Sequence, residues 1–111
     1  MTEKHSEEKQ IAAAQKGDKK AISQLVNKYS PRIYAIAFRL MQNEEDAEDV
    51  LQETFIIMIK KLNTFQRKSS LYTWLYRVAT NVALGKLRKK KNVHDSVSFE
   101  KIEFENLTPA E

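Results

Sequence analysis

Apolar residues along the chain recur at intervals of three and four. After the charged stretch SEEKQ, Ile11, Ala12 and Ala14 start such a row, and Gly17-Asp18 supplies a stop and a fresh N-cap, so a first short helix should end near Lys16. From Asp18 the positions Ala21, Ile22, Leu25, Val26 and Tyr29 keep helical spacing, and Ile33, Ile36, Ala37, Leu40 and Met41 repeat it beyond Pro31, which is expected to kink or break the helix. Asn43 followed by Glu44, Glu45 and Asp46 reads as an N-cap with negative charge at the positive end of a helix that should run to about Leu62. NTFQRKSS then forms a loop, Ser69 or Ser70 caps a last helix, and that helix should reach the basic run near Lys91. Residues 92–111 show no helical period, carry Pro109 and read as a linker.

Composition narrows the class. A chain of 111 residues that is 41% hydrophobic can bury one modest core, and only two glycines and two prolines leave little turn chemistry for a sheet. The fold expected is all-α, a compact bundle of three to four helices. Without cysteine there is neither a disulfide framework nor a thiolate metal site, which fits a reducing cytoplasm. The first fifteen residues lack an apolar signal core, and the longest apolar run, Phe55 to Ile59, is too short to span a bilayer. A soluble, cytoplasmic protein is expected.

The net charge of +4 conceals its distribution. Residues 1–53 carry eight Lys/Arg against ten Asp/Glu, residues 54–91 carry ten Lys/Arg and no acid, and residues 92–111 carry one Lys against five acids. A long block of one sign is the electrostatic footprint of a polyanion partner, nucleic acid first and an anionic membrane surface second.

Two stretches carry chemistry. In DAEDVLQETF and the FIIMI that overlaps its end, Ala47, Val50, Leu51, Thr54, Phe55, Met58, Ile59 and Leu62 make one broad stripe that should be core. The opposite side collects Asp49, Gln52, Glu53 and Ile56, flanked by Asp46 and Lys60. An exposed branched apolar residue among acids and an amide has the character of a partner-binding patch. In LYTWLYRVATNVALGKLRKKK the expected buried stripe is Leu71, Trp74, Leu75, Val78, Ala79 and Val82, with Thr73, Arg77, Thr80, Asn81, Leu84 and Arg88 on the other side. Thr, Arg and Asn can bond base edges and phosphates, and Lys86, Arg88, Lys89, Lys90 and Lys91 add phosphate affinity. Phe65 and Tyr72 beside basic residues suit stacking on unpaired bases better than reading an intact groove.

With both motifs placed in this order, the chain resembles region 2 of bacterial RNA polymerase sigma factors of the extracytoplasmic-function type. The resemblance covers about residues 7–91 and is carried by GDKKAISQLVNKYSPRIYAIAFRL, DAEDVLQETF and FQRKSSLYTWLYRVATNVALGKLRKKK. It implies that Asp46, Asp49, Gln52, Glu53 and Ile56 dock on a coiled coil of the polymerase's largest clamp subunit. It implies too that the loop Asn63, Thr64, Phe65, Gln66, Arg67, Lys68, Ser69 and Ser70 captures a base flipped from the non-template strand of the promoter minus-ten element. Asn81, Arg77, Thr80 and their neighbours, Tyr72, Leu84, Arg88 and Lys89 among them, would read and hold adjacent nucleotides. RNA polymerase core, single-stranded promoter DNA and an anti-sigma protein are the implied partners, with no cofactor, metal or catalytic site.

Two departures from the family pattern stand out. Gly85 takes the place of an acidic residue common among relatives, which weakens the helix locally and questions the register of contacts beyond it. The family's second domain, a helix-turn-helix for the minus-thirty-five element, is not expected within these 111 residues, which read either as a fragment or as a domain whose partner lies elsewhere. Residues 1–91 thus read as the region 2 domain, and 92–111, with Val97, Phe99, Ile102 and Phe104, as an acidic interdomain linker.

Other classes fit less well. A stand-alone helix-turn-helix repressor needs a tight turn where NTFQRKSS has eight residues. A membrane-surface basic helix would be recognised by a preference for anionic vesicles over single-stranded DNA. An enzyme has little to stand on, since His5 and His94 fall in expected tails and Gly17 and Gly85 make no phosphate loop.

Overall fold

A computed structural model describes residues 2–90, and the expected linker at 92–111 lies outside the described residues. Four α-helices make up the fold: α1 (Thr2–Gln15), α2 (Lys19–Met41), α3 (Glu44–Lys61) and α4 (Leu71–Lys90), with a 3-10 turn at Leu62–Thr64. There is no strand among the described residues, as the composition predicts. None of their helices is long and apolar enough to cross a membrane.

Each helix boundary has a local cause. α1 ends in a Schellman motif, with Asp18 N bonded to Ala13 O and Gly17 N to Ala14 O, and Gly17 takes the φ of 95° that closes it. Asp18 at once caps α2, its side chain accepting from the amides of Lys20 and Ala21. Gln42 ends α2 in the left-handed conformation, and Asn43 then caps α3 by accepting from Asp46 N at 2.8 Å. Ser70 Oγ accepts from Thr73 N at 3.0 Å at the start of α4.

Pro31 does not divide α2, contrary to expectation; the helix is continuous from Lys19 to Met41. Proline at this position removes only the bond to the Asn27 carbonyl, and both residues are exposed. Burial of Leu25, Tyr29, Ile33, Ile36 and Ala37 on the other face holds the two halves in one helix.

α2 is the central element, packed against α1, α3 and α4, while α3 and α4 also pack together. Ala37, Ala47, Ala79 and Ala83, all at 0% exposure, let these helices approach closely, and Leu25, Ile33, Val50, Met58, Leu71 and Leu75 fill the space around them. Among the described residues α1 packs on α2 and on the 3-10 turn, and its last turn reaches the loop that follows. Tyr29 Oη donates to the Glu7 carboxylate at 2.8 Å, and burial with that acceptor pushes the phenol well above its ordinary range. Among the described residues, the outer side of α3 and the side of α4 with the loop before it are exposed.

Candidate nucleic-acid interface and docking face

Asp49, Gln52, Glu53 and Ile56 are all exposed on α3, and Ile56 keeps 52% of its surface open. Ile59, expected in the core, is exposed to the same extent. The buried line of α3 runs through Ala47, Val50, Thr54, Phe55 and Met58, and Ile59 sits one step past it, three residues from Ile56 on the outer face. Asp46 is committed differently. It accepts from Asn43 Nδ2 at 2.9 Å and pairs with Lys90, and those hydrogen bonds, the lysine's first, hold its carboxyl below the usual carboxylate range.

The phase of α4 also departs from expectation. Its buried positions are Leu71, Thr73, Leu75, Tyr76, Ala79, Thr80, Ala83 and Leu84, so the buried stripe is turned by about one residue from the apolar pattern. Thr80 and Leu84, read as DNA contacts, are 1% and 3% exposed and cannot reach a strand. Trp74, Val78 and Val82 flank the core and are only partly buried. Short or polar Thr73 and Thr80 face inward because Tyr72 and Tyr76 must meet α2: Tyr72 stacks on Tyr29, meets Tyr76 edge-on and carries Arg32 over its ring at 5.0 Å. Tyr72 therefore belongs to the α2–α4 seam rather than to the loop. Burial raises the Tyr76 phenol above its ordinary value.

Phe65 was the expected stacking ring of the loop, yet it is buried and packs on Trp74, with ring centroids 5.2 Å apart. The partly exposed tryptophan forms the wall instead. Thr64, Phe65, Gln66, Lys68, Ser69 and Trp74 line a shallow pocket of about 210 Å³. Asn63, Arg67 and Ser70 are exposed beside it. Sequence reasoning missed the residue that ties this loop down: Gln15 Nε2 donates to both Leu62 O and Phe65 O at 3.0 Å, and its Oε1 accepts from Arg67 Nη2 at 3.0 Å. Nothing in the spacing of the sequence marks Gln15, because the contact joins elements almost fifty residues apart.

Arg77, Asn81, Arg88 and Lys89 are exposed along α4. A groove of about 520 Å³ runs between Glu53 of α3 and Asn81, Val82, Gly85, Lys86 and Lys89 of α4. α4 continues through Gly85 to Lys90, so the register beyond the glycine is helical, and a Cβ there would meet nothing closer than Arg88 Nη2 at 3.8 Å. Pocket and groove lie along one helix, with acid-free sequence between them. Such an arrangement offers a wall for a base, amide and guanidinium groups for base edges, and ammonium groups for phosphates.

Residues 25–93 match the family described as Sigma-70 region 2. The chain is 39% identical over 83 residues to the ECF RNA polymerase sigma factor SigW of Bacillus subtilis, covering 75% of this chain and 44% of the relative. It is 35% identical over 106 residues to the RNA polymerase sigma-H factor of Pseudomonas aeruginosa (94% and 55%) and 35% identical over 107 residues to the ECF RNA polymerase sigma-E factor of Escherichia coli K12 (96% and 56%). The chain spans about half the length of these curated relatives. With an all-helical fold, an acid-rich outer face on α3 and a basic α4 beside a pocketed loop, the chain belongs to the sigma-70 region 2 family.

Proposed function

We propose that this chain acts in transcription initiation, docking on the clamp coiled coil of RNA polymerase through α3 and capturing unpaired non-template bases of the promoter minus-ten element with the α3–α4 loop and α4. The observation that carries this reading is the alignment of the Trp74-walled pocket with the exposed Arg77, Asn81, Arg88 and Lys89 along α4. A flipped base needs a face to stack on and donors for its edge, while its neighbours need cations for their phosphates. On α3, Asp49, Gln52, Glu53, Ile56 and Ile59 present the mixed acidic and apolar surface that suits a basic, partly apolar helical partner. An anti-sigma protein would act by covering either surface. Residues 92–111, read as an interdomain linker, would connect this domain to a second DNA-reading unit.

The test is a competition titration of the chain with single-stranded and duplex oligonucleotides of the same sequence, the strand being selected from a randomised minus-ten library. The single strand should win. Asn81→Ala should cost roughly 1–3 kcal/mol on the selected strand and little on others, whereas neutralising Lys89 should weaken all strands alike. Equal affinity for strand and duplex, or a sequence-independent loss in Asn81→Ala, removes base capture and leaves a basic patch. Retention of the chain on the immobilised clamp coiled coil tests docking separately.

A further inference from the structure

We infer that Gln15, in the last turn of α1, is the positioning residue of the base-capture loop, so that the N-terminal helix sets the sequence preference of a pocket it does not line. The inference rests on the base-capture reading above and adds a determinant to it.

The loop has little structure of its own. Beyond the 3-10 turn, where Thr64 Oγ1 donates to Lys61 O and Phe65 N to Leu62 O, residues 65–70 follow no helical ladder. Phe65 anchors the loop by its ring, and Gln15 anchors it by its backbone and by Arg67. One primary amide supplies three bonds of two kinds: two donors to the carbonyls of Leu62 and Phe65, and an acceptor for the Arg67 guanidinium. The two carbonyls fix where the 3-10 turn opens into the loop. The arginine bond holds a residue whose φ is 63°, a left-handed conformation that costs a non-glycine residue energy and persists only where its surroundings impose it. Gln66 and Lys68, which line the pocket, are the immediate neighbours of Arg67. Any movement of Arg67 therefore moves two of the groups a captured base would meet.

Gln15 can do this because it is itself immobilised. Ala14 beside it is buried, and the Schellman turn at Gly17 ends α1 two residues later. No other side chain of similar length reproduces the set. Glutamate keeps a partner for Arg67 but has no donor for the carbonyls, lysine has donors and no acceptor, and leucine has neither.

The experiment uses the 111-residue chain and its Gln15→Leu and Gln15→Glu variants. Three quantities are read: thermal melting, the rate of tryptic cleavage after Arg67 and Lys68, and the ratio of affinities for the library-selected strand and a scrambled strand. Both variants should melt cooperatively. Cleavage should accelerate, most in Gln15→Leu, with Gln15→Glu intermediate because it retains the arginine contact. The affinity ratio should fall roughly fivefold to tenfold, the equivalent of one or two lost hydrogen bonds, with scrambled-strand binding unchanged. An unaltered ratio in both variants overturns the inference, whatever the cleavage rate does. So does an equal loss on both strands, or loss of cooperative melting in both variants, since either means that Gln15 serves the fold alone. A parent chain that shows no preference overturns base capture itself, and this inference with it.

Discussion

The rings of Phe65 and Trp74 meet at 5.2 Å with their planes tilted by 30°, and the phenylalanine is the buried partner, at 9% exposure. The loop therefore drives one aromatic into the core and borrows the other, from α4, as the wall of its pocket. Phe65→Ala should cost roughly 3–5 kcal/mol by opening a cavity under the loop, and should shift the emission of Trp74, the chain's single tryptophan, to the red. Trp74→Ala should melt closer to the parent than Phe65→Ala does while losing single-strand binding. Thermal melts and fluorescence of the two variants check the order.

On α3, Asp49, Gln52 and Glu53 have no part in the core. Replacing all three with Ala should change stability by no more than about 0.5 kcal/mol per site, and retention on the polymerase clamp coiled coil should fall. Circular dichroism melts run beside the pull-down separate docking from folding.

Thr80, offered by its spacing as a base contact, is buried, and its Oγ1 has no hydrogen-bond partner among the described residues. Thr80→Val keeps the shape and removes a hydroxyl that burial penalises. Stability should rise by about 1 kcal/mol, and DNA binding should be the same as in the parent. A chemical-denaturation curve and one titration suffice.

The Asp46–Lys90 pair joins the first turn of α3 to the last described turn of α4. Because the Asp46 pKa is lowered in the folded chain from its ordinary 3.8, its ionised form favours the fold: that contribution is complete above the ordinary value and is lost as pH falls through the lower, folded one. An NMR titration of the Asp46 carboxyl should give a midpoint below the ordinary value, and Lys90→Ala should move it upward.

Much of this was legible in the chain. The caps Asp18, Asn43 and Ser70 and the Gly17 stop are local chemistry, and each boundary follows from them. The acidic outer face of α3 is legible for the same reason, since period and charge agree there. The phase of α4 was not. Its row Trp74, Val78 and Val82 is more apolar than the Thr73, Thr80 row that is buried, and only the packing of Tyr72 and Tyr76 against α2 decides between them. Ile59 looked like core because it continues the spacing of Leu51, Phe55 and Leu62, and a helix can turn only part of so broad an apolar stripe inward. Gln15 was illegible because its partners are distant in sequence.

The uninterrupted passage of α2 through Pro31 has a consequence for how the domain opens. Gln24 and Lys28 before Pro31 are held by α1, through Gln10 and Glu7, Tyr29 meets both Glu7 of α1 and Tyr72 of α4, and Arg32 after it is held by α4 through Tyr72. At the seam the helix lacks one of its own rungs. Fluctuations that begin at the N-terminus have a natural place to stop, so α1 and the first turns of α2 can open as one unit while the α2–α4 core stays closed. Backbone amides on the two sides of Pro31 should consequently exchange with solvent in two classes, the slower one marking the part of α2 that packs on α3 and α4.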